Sequence, residues 1–228
     1  MRLNLGCGRA QLPTTPDNPF TQHLHGLPQT GYTKDDWVNV DAADIEGIDQ
    51  VVNLFQYPWP WKDNSVTEIW CSHLIEHIPH VADVLPSIDR ENPGSLGICA
   101  RLNGWYAFFH EVHRVLKPDG EIHIITPHGH SVQAITDPTH TRQILPGTFG
   151  YFKPNPDAPF DYGLPYEFAA TNEATVRPTT LAIRDTMMAI RTEDDPVKRD
   201  ELAKGFWTDA LHSINWFNEI GITLRAVK

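Results

Sequence analysis

The sequence predicts a doubly wound α/β fold in which a mostly parallel β-sheet lies between layers of helices. Short runs rich in β-branched residues alternate along the chain with segments of helical periodicity, and this order favours parallel strands joined by crossover helices. The first run, Arg2–Leu5, leads directly into a glycine turn. A later run, residues 121–127, carries the isoleucine-rich face of a buried strand.

The size and charge of the chain limit its function. The 228 residues, of which 40% are hydrophobic, suffice for one core, so we expect a single domain over residues 1–228. Acidic side chains number 29 against 18 basic ones, which gives a formal charge of −11. Phosphate backbones bind clustered Lys and Arg, so this charge disfavours strong nucleic-acid binding.

Cysteine usage and hydropathy predict a cytoplasmic protein. Cys7, Cys71 and Cys99 are odd in number and widely spaced, which is typical of reduced thiols. No apolar run approaches the roughly 20 residues of a membrane-spanning helix, and no export leader precedes Gly6. We therefore expect neither membrane insertion nor secretion.

Three strands are predicted in the first quarter of the chain. Arg2–Leu5 is followed by residues 11–36, where prolines and glycines prevent a continuous helix and predict a long loop. Trp37–Asp41 alternates in polarity and ends in an acid, which indicates the second strand. Residues 50–54 form a third short strand, closed by two prolines.

Strand and helix alternate in the middle of the chain. Residues 66–71 predict a fourth strand, and Ser72 is placed to cap a helix that runs through Ile78. Residues 105–116 place apolar side chains on one helical stripe, and the Lys-Pro-Asp-Gly sequence that follows ends this helix. Residues 121–127 then form the fifth strand.

The last third of the chain is less regular. Residues 146–178 are rich in proline and aromatic residues and lack periodicity, which predicts an irregular insertion or lid. Residues 180–191 and 196–217 have helical patterns, and residues 222–227 predict a closing strand.

Candidate functional residues follow the predicted strands, because ligands of α/β sheets bind outside the carboxyl ends of the strands. Gly6-Cys7-Gly8 follows the first strand, where the missing side chains let a ligand reach backbone N–H groups. Asp41 ends the second strand, and its carboxylate can accept both hydroxyls of a ribose. Taken alone, each feature is equally typical of a tight turn or a solvated loop acid.

Five segments, in order and in register with the predicted strands, resemble the class I S-adenosylmethionine-dependent methyltransferases. The resemblance spans roughly residues 1–145 and is strongest to small-molecule and glycan methyltransferases with "LEH" after the fourth strand and "RVLKPGG" before the fifth. The segments are LNLGCG at 3–8, VNVD at 38–41, PWPWKDNSVTEI at 58–69, CSHLIEHI at 71–78 and FHEVHRVLKPDGE at 109–121.

The resemblance implies a Rossmann-like fold and S-adenosyl-L-methionine as the cofactor. The glycine turn would face the methionine part, the acid after the second strand would bind the ribose, and the residues after the third and fourth strands would border the adenine and the sulfonium. The implied cofactor-binding residues are Asn4, Gly6, Cys7, Gly8, Asp41, Asn53, Leu54, Ser72 and His73.

The chemistry of methyl transfer asks for alignment and the removal of one proton. A methyl group on a sulfonium is already a strong electrophile, so the enzyme must hold the acceptor in line and provide a base. We therefore predict neither a bound metal nor a covalent nucleophile. His73 is the first candidate for the base, followed by His77 and His140, because a neutral imidazole near pH 7 suits proton removal.

Polar residues after the fifth strand are candidates for acceptor binding. Asp137, His140 and Arg142, with His128, combine groups that can hold a polyhydroxylated or carboxylated molecule. The same stretch is equally typical of a turn with an exposed arginine. Together with the resemblance, it predicts a small-molecule or glycan acceptor methylated on oxygen or nitrogen.

Two other functions stay open. His73-x-x-Glu76-His77 fits the H-x-x-E-H pattern of inverted zinc peptidases, which need a third ligand such as Glu111 and an open position. A second metal site would join His140 to the histidines at 128 and 130. Alternatively, a non-catalytic protein could keep the cofactor pocket without turnover.

Two related classes of protein fit less well. A nicotinamide-binding domain needs a third glycine and an acid about 20 residues on, whereas Asp41 lies much later. Enzymes that methylate amines or C5 atoms of nucleic-acid bases resemble the chain less, because Cys71-Ser72-His73-Leu74 lacks their motifs.

The segment after the glycine turn departs from the family pattern, which has a helix there. We expect that a lid over the cofactor comes from residues 11–36 or from residues 146–178. The side chains of the first segment that suit this role are Phe20, His23, His25 and Tyr32.

Overall fold

A computed structural model describes residues 1–9, 11–12, 37–80, 104–152, 166–171, 174–179, 181–212 and 216–228. Within these ranges the strands belong to one sheet. The parallel strands, in chain order, are β1 (Arg2–Leu5), β2 (Trp37–Asp41), β3 (Gln50–Val51), β4 (Val66–Ser72) and β5 (Leu116–Pro127).

Three antiparallel strands complete the sheet. They are β6 (Glu167–Ala170), β7 (Thr175–Pro178) and β8 (Phe217–Val227), and the order across the sheet is β3-β2-β1-β4-β5-β8-β6, with β7 also paired to β8. β1 lies between β2 and β4, so the strand order reverses beside it. This reversal is the topological switch point at which open α/β sheets bind ligands.

Helices and single turns connect the strands. The α-helices of the described residues are α1 (Gly104–Val115), α2 (Val132–Thr136), α3 (Leu181–Thr192) and α4 (Pro196–His212), and 3-10 turns span Ile75–His77 and Pro146–Phe152. The mostly parallel sheet with its helices confirms the predicted doubly wound α/β fold.

The apolar stripe of α1 packs on the sheet and anchors the core. Phe108, Phe109 and Val112 are fully buried, as are Leu3 of β1 and Ile122 of β5. Removing such side chains from water supplies roughly 25 cal/mol per Å² of apolar area. The predicted helix over residues 105–116 is therefore confirmed to within one residue at each end.

The predicted helix from Ser72 to Ile78 is wrong. Ser72 still belongs to β4, and only Ile75–His77 forms a single 3-10 turn, which has no side-chain cap. Pro79 ends the turn, because the residue before a proline is restricted to extended conformations, and Ile78 has ψ 123°.

Two predicted strands have different bounds. The third strand covers Gln50–Val51 and does not reach residue 54. β5 begins at Leu116, and its register with β4 jumps from the Leu116 pair to the Glu121 pair. The predicted Lys-Pro-Asp-Gly turn is the irregular part of this strand, where Asp119 has a φ of 60°.

The C-terminal part of the chain is more regular than predicted. The second of its two predicted helices ends at His212, not Phe217, because Phe217 already pairs with β7 as the first residue of β8. The ends of the predicted insertion contribute the Pro146–Phe152 turn and strands β6 and β7. Residues 153–165 of that segment lie outside the described residues, so its lid role stays a prediction.

Several other predictions fall outside the described residues. These are Cys99 and the lid residues of the 11–36 segment, Phe20, His23, His25 and Tyr32. Cys7 and Cys71 are free and buried, and burial raises the pKa of both thiols, that of Cys7 to about 12. None of the helices in the described ranges has the length and hydropathy to span a membrane.

Candidate functional site

The turn after β1 depends on glycine. Gly6 has a φ of 62° and Gly8 a φ of 48°, a region that L-residues with side chains rarely adopt. A Cβ on Gly6 would lie 2.8 Å from Cδ1 of Leu74, whereas a Cβ on Gly8 would meet no atom of the described residues within 4 Å. Gly6 therefore permits contact with the segment after β4, and among the described residues Gly8 borders open space where a ligand can approach.

Asp41 at the end of β2 faces this turn. Its Oδ2 accepts the backbone N–H of Gly8 at 2.8 Å, and its Oδ1 accepts that of Ala43 at 2.9 Å. A carboxylate has about four lone-pair sites, so each oxygen can accept a further donor. The structure thus fixes the orientation of the carboxylate and leaves it acceptor capacity.

The side chain of Asn39 holds the glycine turn in place, a role that the sequence analysis missed. Its Oδ1 accepts from Asn4 Nδ2 at 3.0 Å and from Leu12 N at 2.8 Å, and its Nδ2 donates to Leu12 O at 2.9 Å. The strand N–H of Asn39 donates to Asp49 at 2.7 Å. Asn4, implied as a cofactor ligand, is 1% exposed and uses its amide in this buried pair.

Asn53 and Leu54, the residues implied to border the adenine, make contacts that stabilise the fold. Asn53 is exposed, and its Oδ1 accepts the backbone N–H of Phe55 at 3.0 Å, which closes a turn. Leu54 is 4% exposed, and its side chain packs in the main core. The Leu54 side chain therefore lies in the core and not on an open surface.

His73 follows β4 in a strained turn, with a φ of 52°. Its Nε2 lies 3.1 Å from Glu219 of β8, and its Nδ1 lies 3.5 Å from Glu76. Partial burial lowers the pKa of this imidazole, but the two carboxylates outweigh it and raise the pKa to about 9. Both partners favour the imidazolium at pH 7, which argues against a neutral base at His73, and the catalytic role of this residue stays a prediction.

Glu76 lies buried under the ends of β4 and β5. Its side chain is 2% exposed, and Oε2 accepts the hydroxyl of Thr126 at 3.1 Å. Among the described residues, Oε1 has no hydrogen-bond partner. The backbone carbonyl of Glu76 accepts from Thr141 N at 2.9 Å, which ties the turn after β4 to the loop after α2.

His77 and His140 lie edge to edge, with ring centroids 4.7 Å apart. Nδ1 of His77 is 3.0 Å from the Thr139 hydroxyl, which donates to Asp137 Oδ1 at 2.6 Å. The structure thus gives Nδ1 of His77 a side-chain partner. Nδ1 of His140 is 3.2 Å from the carbonyl of Ala134.

Asp137 is oriented by the turn that it begins. Its Oδ1 accepts from the backbone N–H and the hydroxyl of Thr139, and these two donors lower the pKa of its carboxyl. Its Oδ2 lies 3.7 Å from Nε2 of His140. Of the four predicted acceptor-binding residues, these two are brought together by the structure.

His128 and Arg142 have mainly structural contacts. His128 is 6% exposed and packs its ring on Phe217. Burial, and to a smaller extent the nearby His130, lower the pKa of His128 to about 4. Arg142 donates to the carbonyls of Ile78 and Pro79 at 2.9 and 3.2 Å and lies over the ring of Trp105. The alternative interpretation of this stretch, a turn with an exposed arginine, is therefore wrong, because these contacts hold the Arg142 side chain against the protein.

The residues that cluster in the structure differ from those that the zinc-peptidase hypothesis expects. One ligand atom each from Glu76, His77 and His140 lies within 4.8 Å of the others, and His73 is not part of this group. Glu111, the suggested third ligand, binds Arg114 and the backbone of Trp59 instead. The third ligand suggested for the zinc-peptidase hypothesis thus belongs to a different ion pair.

A separate groove lies between α3 and α4. Its volume is about 730 Å³, and none of the predicted site residues lines it. Phe206 and Trp216 form its apolar floor, with Ile183 beside them. The groove does not belong to the crevice at the ends of the parallel strands.

No family model and no curated protein matches this sequence. Solved structures with a similar fold include a SAM-dependent methyltransferase from Archaeoglobus fulgidus, with 13% identity, a TM-score of 0.49 and coverage of 98% of this chain and 85% of that one. An S-adenosylmethionine-dependent methyltransferase from Mesorhizobium loti has 15% identity, a TM-score of 0.45 and coverages of 98% and 89%.

A third similar structure is phosphoethanolamine N-methyltransferase 2 of Haemonchus contortus in complex with S-adenosyl-L-methionine. It has 10% identity and a TM-score of 0.44, and the match covers 100% of this chain and 48% of that one. These identities and TM-scores are low, so the fold is assigned from the order of the strands in the sheet of this protein.

Proposed function

We propose that this protein transfers a methyl group from S-adenosylmethionine to an oxygen or nitrogen atom of a small-molecule or glycan acceptor. The observation that carries the proposal is the pairing of Gly8 with Asp41 at the switch point of the sheet, with the two groups 2.8 Å apart. A glycine backbone next to an oriented carboxylate suits a ligand that combines an amino-acid part with a ribose.

The residues at this crevice fit such a cofactor. Among the described residues Gly8 borders open space, so a ligand can approach this turn beside the carboxylate that holds the Gly8 N–H. Asp41 would accept the ribose hydroxyls, as a charged acceptor of two hydrogen bonds. The cofactor supplies an electrophilic methyl group when bound.

The acceptor side of the crevice is assigned to the loop after α2. Asp137, Thr139 and His140 lie beside His77, which follows β4. Carboxylate, hydroxyl and imidazole groups together suit a hydroxylated acceptor. These residues would orient the acceptor toward Gly6 and Gly8, and orientation supplies much of the rate of such a reaction.

The role of His73 changes in this proposal. With a pKa of about 9, its ring holds its proton at neutral pH and pairs with Glu219 and Glu76. We assign it a positioning role that connects β8 to the turn after β4. The catalytic assignment of His77 and His140 remains part of the proposal.

The buried thiols support the expected compartment. Cys7 and Cys71 are free, and burial holds the pKa of each well above its ordinary value. Reduced, unreactive thiols are typical of cytosolic proteins. We therefore keep a cytoplasmic location as part of the proposal.

Calorimetric titration with S-adenosylmethionine and S-adenosylhomocysteine tests the cofactor without any assumption about the acceptor. We expect binding of both, and we expect Gly8→Asp to abolish it, because the new carboxylate would stand beside Asp41. Gly150→Asp is the matched control, since Gly150 is exposed and an added Cβ would meet no atom of the described part of the chain within 4 Å.

Absence of binding by the parent protein would overturn the cofactor proposal. Binding without methylated product from any acceptor would instead favour the non-catalytic alternative. Equal binding by the parent protein and by Gly8→Asp would move the cofactor away from the turn after β1.

A further inference from the structure

We propose that Glu76, His77 and His140 bind a divalent transition-metal ion such as Zn²⁺. This inference does not rest on the proposed methyl transfer. With the metal bound, His77 and His140 would be ligands and not the free base, because neither ring would then have a lone pair left to accept a proton. One ligand atom from each residue lies within 4.8 Å of the other two. Tetrahedral Zn²⁺ with bonds of about 2.0–2.2 Å separates its ligand atoms by about 3.4 Å, so small side-chain rotations would complete the site.

Backbone contacts hold the two segments of the site together. Glu76 and His77 belong to the 3-10 turn after β4, and His140 belongs to the loop after α2. The Thr141 hydroxyl donates to the carbonyl of Ile78 at 2.6 Å, and its N–H donates to the carbonyl of Glu76 at 2.9 Å. The ligands therefore come from a fixed pair of segments, although His77 and His140 lie 63 positions apart in the chain.

Hydrogen bonds set the tautomer of His140 for metal binding. Its Nδ1 is 3.2 Å from the carbonyl oxygen of Ala134. A carbonyl oxygen only accepts, so this nitrogen carries the proton and Nε2 keeps its lone pair. Metal-binding histidines typically donate their other ring N–H to such an acceptor.

His77 has the same arrangement. Its Nδ1 is 3.0 Å from the Thr139 hydroxyl, which donates its own hydrogen to Asp137 Oδ1 at 2.6 Å. The hydroxyl oxygen must then accept the N–H of His77, which leaves Nε2 of His77 with a lone pair. Asp137, Thr139 and the Ala134 carbonyl thus act as the outer partners of two imidazole ligands.

The carboxylate of Glu76 supplies the third ligand and the reason for a cation. Its side chain is 2% exposed, and Oε1 has no hydrogen-bond partner among the residues that the structure describes. Its ionic partner among the described residues, Nδ1 of His73, is 3.5 Å away, which exceeds the usual hydrogen-bond range of about 2.7–3.2 Å. A buried carboxylate oxygen with only this long contact is poorly compensated, and a directly bound cation would compensate it better.

The donor set favours Zn²⁺ and similar ions over Mg²⁺ or Ca²⁺. Two imidazoles and one carboxylate are the protein ligands of several zinc sites with an open fourth position, whereas Mg²⁺ and Ca²⁺ prefer oxygen ligands. Nε2 of His140 has Asp137 Oδ2 at 3.7 Å as a competing partner. The ion would displace this longer contact.

The test is a titration of chelator-treated protein with ZnCl₂, followed by calorimetry, with metal content measured after dialysis. We expect one equivalent of Zn²⁺, and we expect His140→Ala and Glu76→Gln each to weaken binding by at least about 100-fold, more than the 10–100-fold typical of outer partners. Thr139→Val removes an outer partner and should weaken binding by about 10-fold.

His130→Ala is the matched control, because His130 lies near His128 and outside the three-residue group. Circular dichroism of each variant checks the fold. If His140→Ala does not fold, Glu76→Gln still tests the site, because glutamine has nearly the same shape as glutamate. Binding unaffected by both ligand variants, or no saturable binding by the parent protein, would overturn the proposal.

The same variants separate this proposal from that of methyl transfer. His140→Ala should still bind S-adenosylmethionine, because Gly8 and Asp41 are unchanged. Cofactor binding without zinc binding would refute the metal site alone. A zinc affinity that falls in His130→Ala would shift the site to the histidines at 128, 130 and 140.

Discussion

Asp41 combines a structural and a proposed binding role in one side chain. It accepts the N–H groups of Gly8 and Ala43, and a ribose would add two further donors. Asp41→Ala should weaken binding of S-adenosylmethionine by roughly 1.5–3 kcal/mol, the range for hydrogen bonds to a charged group. Titration calorimetry measures this difference.

A control variant makes this prediction specific. Asp44→Ala removes the same charge from an exposed position three residues on and should leave the dissociation constant unchanged. Urea denaturation of both variants checks that the loss of affinity does not come from unfolding. A dissociation constant of Asp41→Ala equal to that of the parent protein would remove Asp41 from the site.

His73 illustrates the limit of sequence interpretation for a single residue. The sequence places it after a strand and near a candidate cofactor, which suggested a neutral base. Its protonation state depends on Glu219, which is 146 residues away in the chain. No local pattern connects two such residues, so only the tertiary structure gives the imidazole a pKa of about 9.

Asn39 escaped the sequence analysis for a similar reason. An asparagine inside a strand has no motif of its own, and β-strands are depleted in this residue. In the structure the side-chain amide of Asn39 forms hydrogen bonds with Leu12, Asn4 and Asp49. The polar residue in an otherwise apolar run was the one signal available.

At the scale of elements, the turn Ile75–His77 shows how a proline overrides a helical pattern. Ser72 and Ile78 bounded a plausible helix, but the preceding strand extends to Ser72 and Pro79 fixes the far end. Only one 3-10 turn fits between them. That turn brings Glu76 and His77 under the loop that carries His140.

The helix α1 provides a prediction for the core. Phe109 is fully buried, and its ring centroid lies 4.5 Å from that of Phe152 and 6.1 Å from that of Phe168. Phe109→Ala should lower the free energy of unfolding by about 3–5 kcal/mol, the range for large-to-small changes in a core. Chemical denaturation measures this loss.

Tyr151→Ala is the control for this core variant. Tyr151 precedes Phe152 in the same 3-10 turn but is 56% exposed, so its removal should change the free energy of unfolding by no more than about 0.5 kcal/mol. Equal effects of Phe109→Ala and Tyr151→Ala would contradict the packing of the Pro146–Phe152 turn against α1.

At the scale of the whole molecule, an ion pair between Glu111 and Arg114 of α1 holds the backbone of the loop after β3 by hydrogen bonds. Glu111 is 2% exposed and accepts from Arg114 at 2.7 and 2.8 Å and from the backbone of Trp59 at 2.7 Å. Burial raises the pKa of Glu111, but Arg114, His110 and the Trp59 N–H outweigh it and lower the pKa to about 2.

This ion pair predicts acid sensitivity. Since the folded-state pKa lies below the ordinary value of 4.5, the stabilisation is present above pH 4.5 and is lost as the pH falls toward 2. Between these limits the free energy of unfolding of the parent protein should fall by about 3 kcal/mol more than that of Glu111→Gln. Urea denaturation across this pH range measures both slopes.

Glu46→Gln is the control for the acid prediction, because the Glu46 side chain is exposed. Its free energy of unfolding should follow that of the parent protein over the same range. A parent slope equal to that of Glu111→Gln would show that other carboxylates, and not Glu111, cause the acid loss.

The sequence by itself determined the strands β1 and β2, the helix α1, the glycine turn and the acid that follows β2. These features depend on local rules: side-chain periodicity, the positive φ of Gly6 and Gly8, and the polarity of a strand end. Such rules act over a few residues, so the chain reveals them directly.

Only the tertiary structure decided which polar groups share a site. It paired His73 with Glu219, directed Arg142 to the carbonyls of Ile78 and Pro79, and gathered Glu76, His77 and His140. Burial, protonation and hydrogen bonding depend on neighbours that lie far away in sequence. The sheet order brings these neighbours together because it places the carboxyl ends of the parallel strands at one edge.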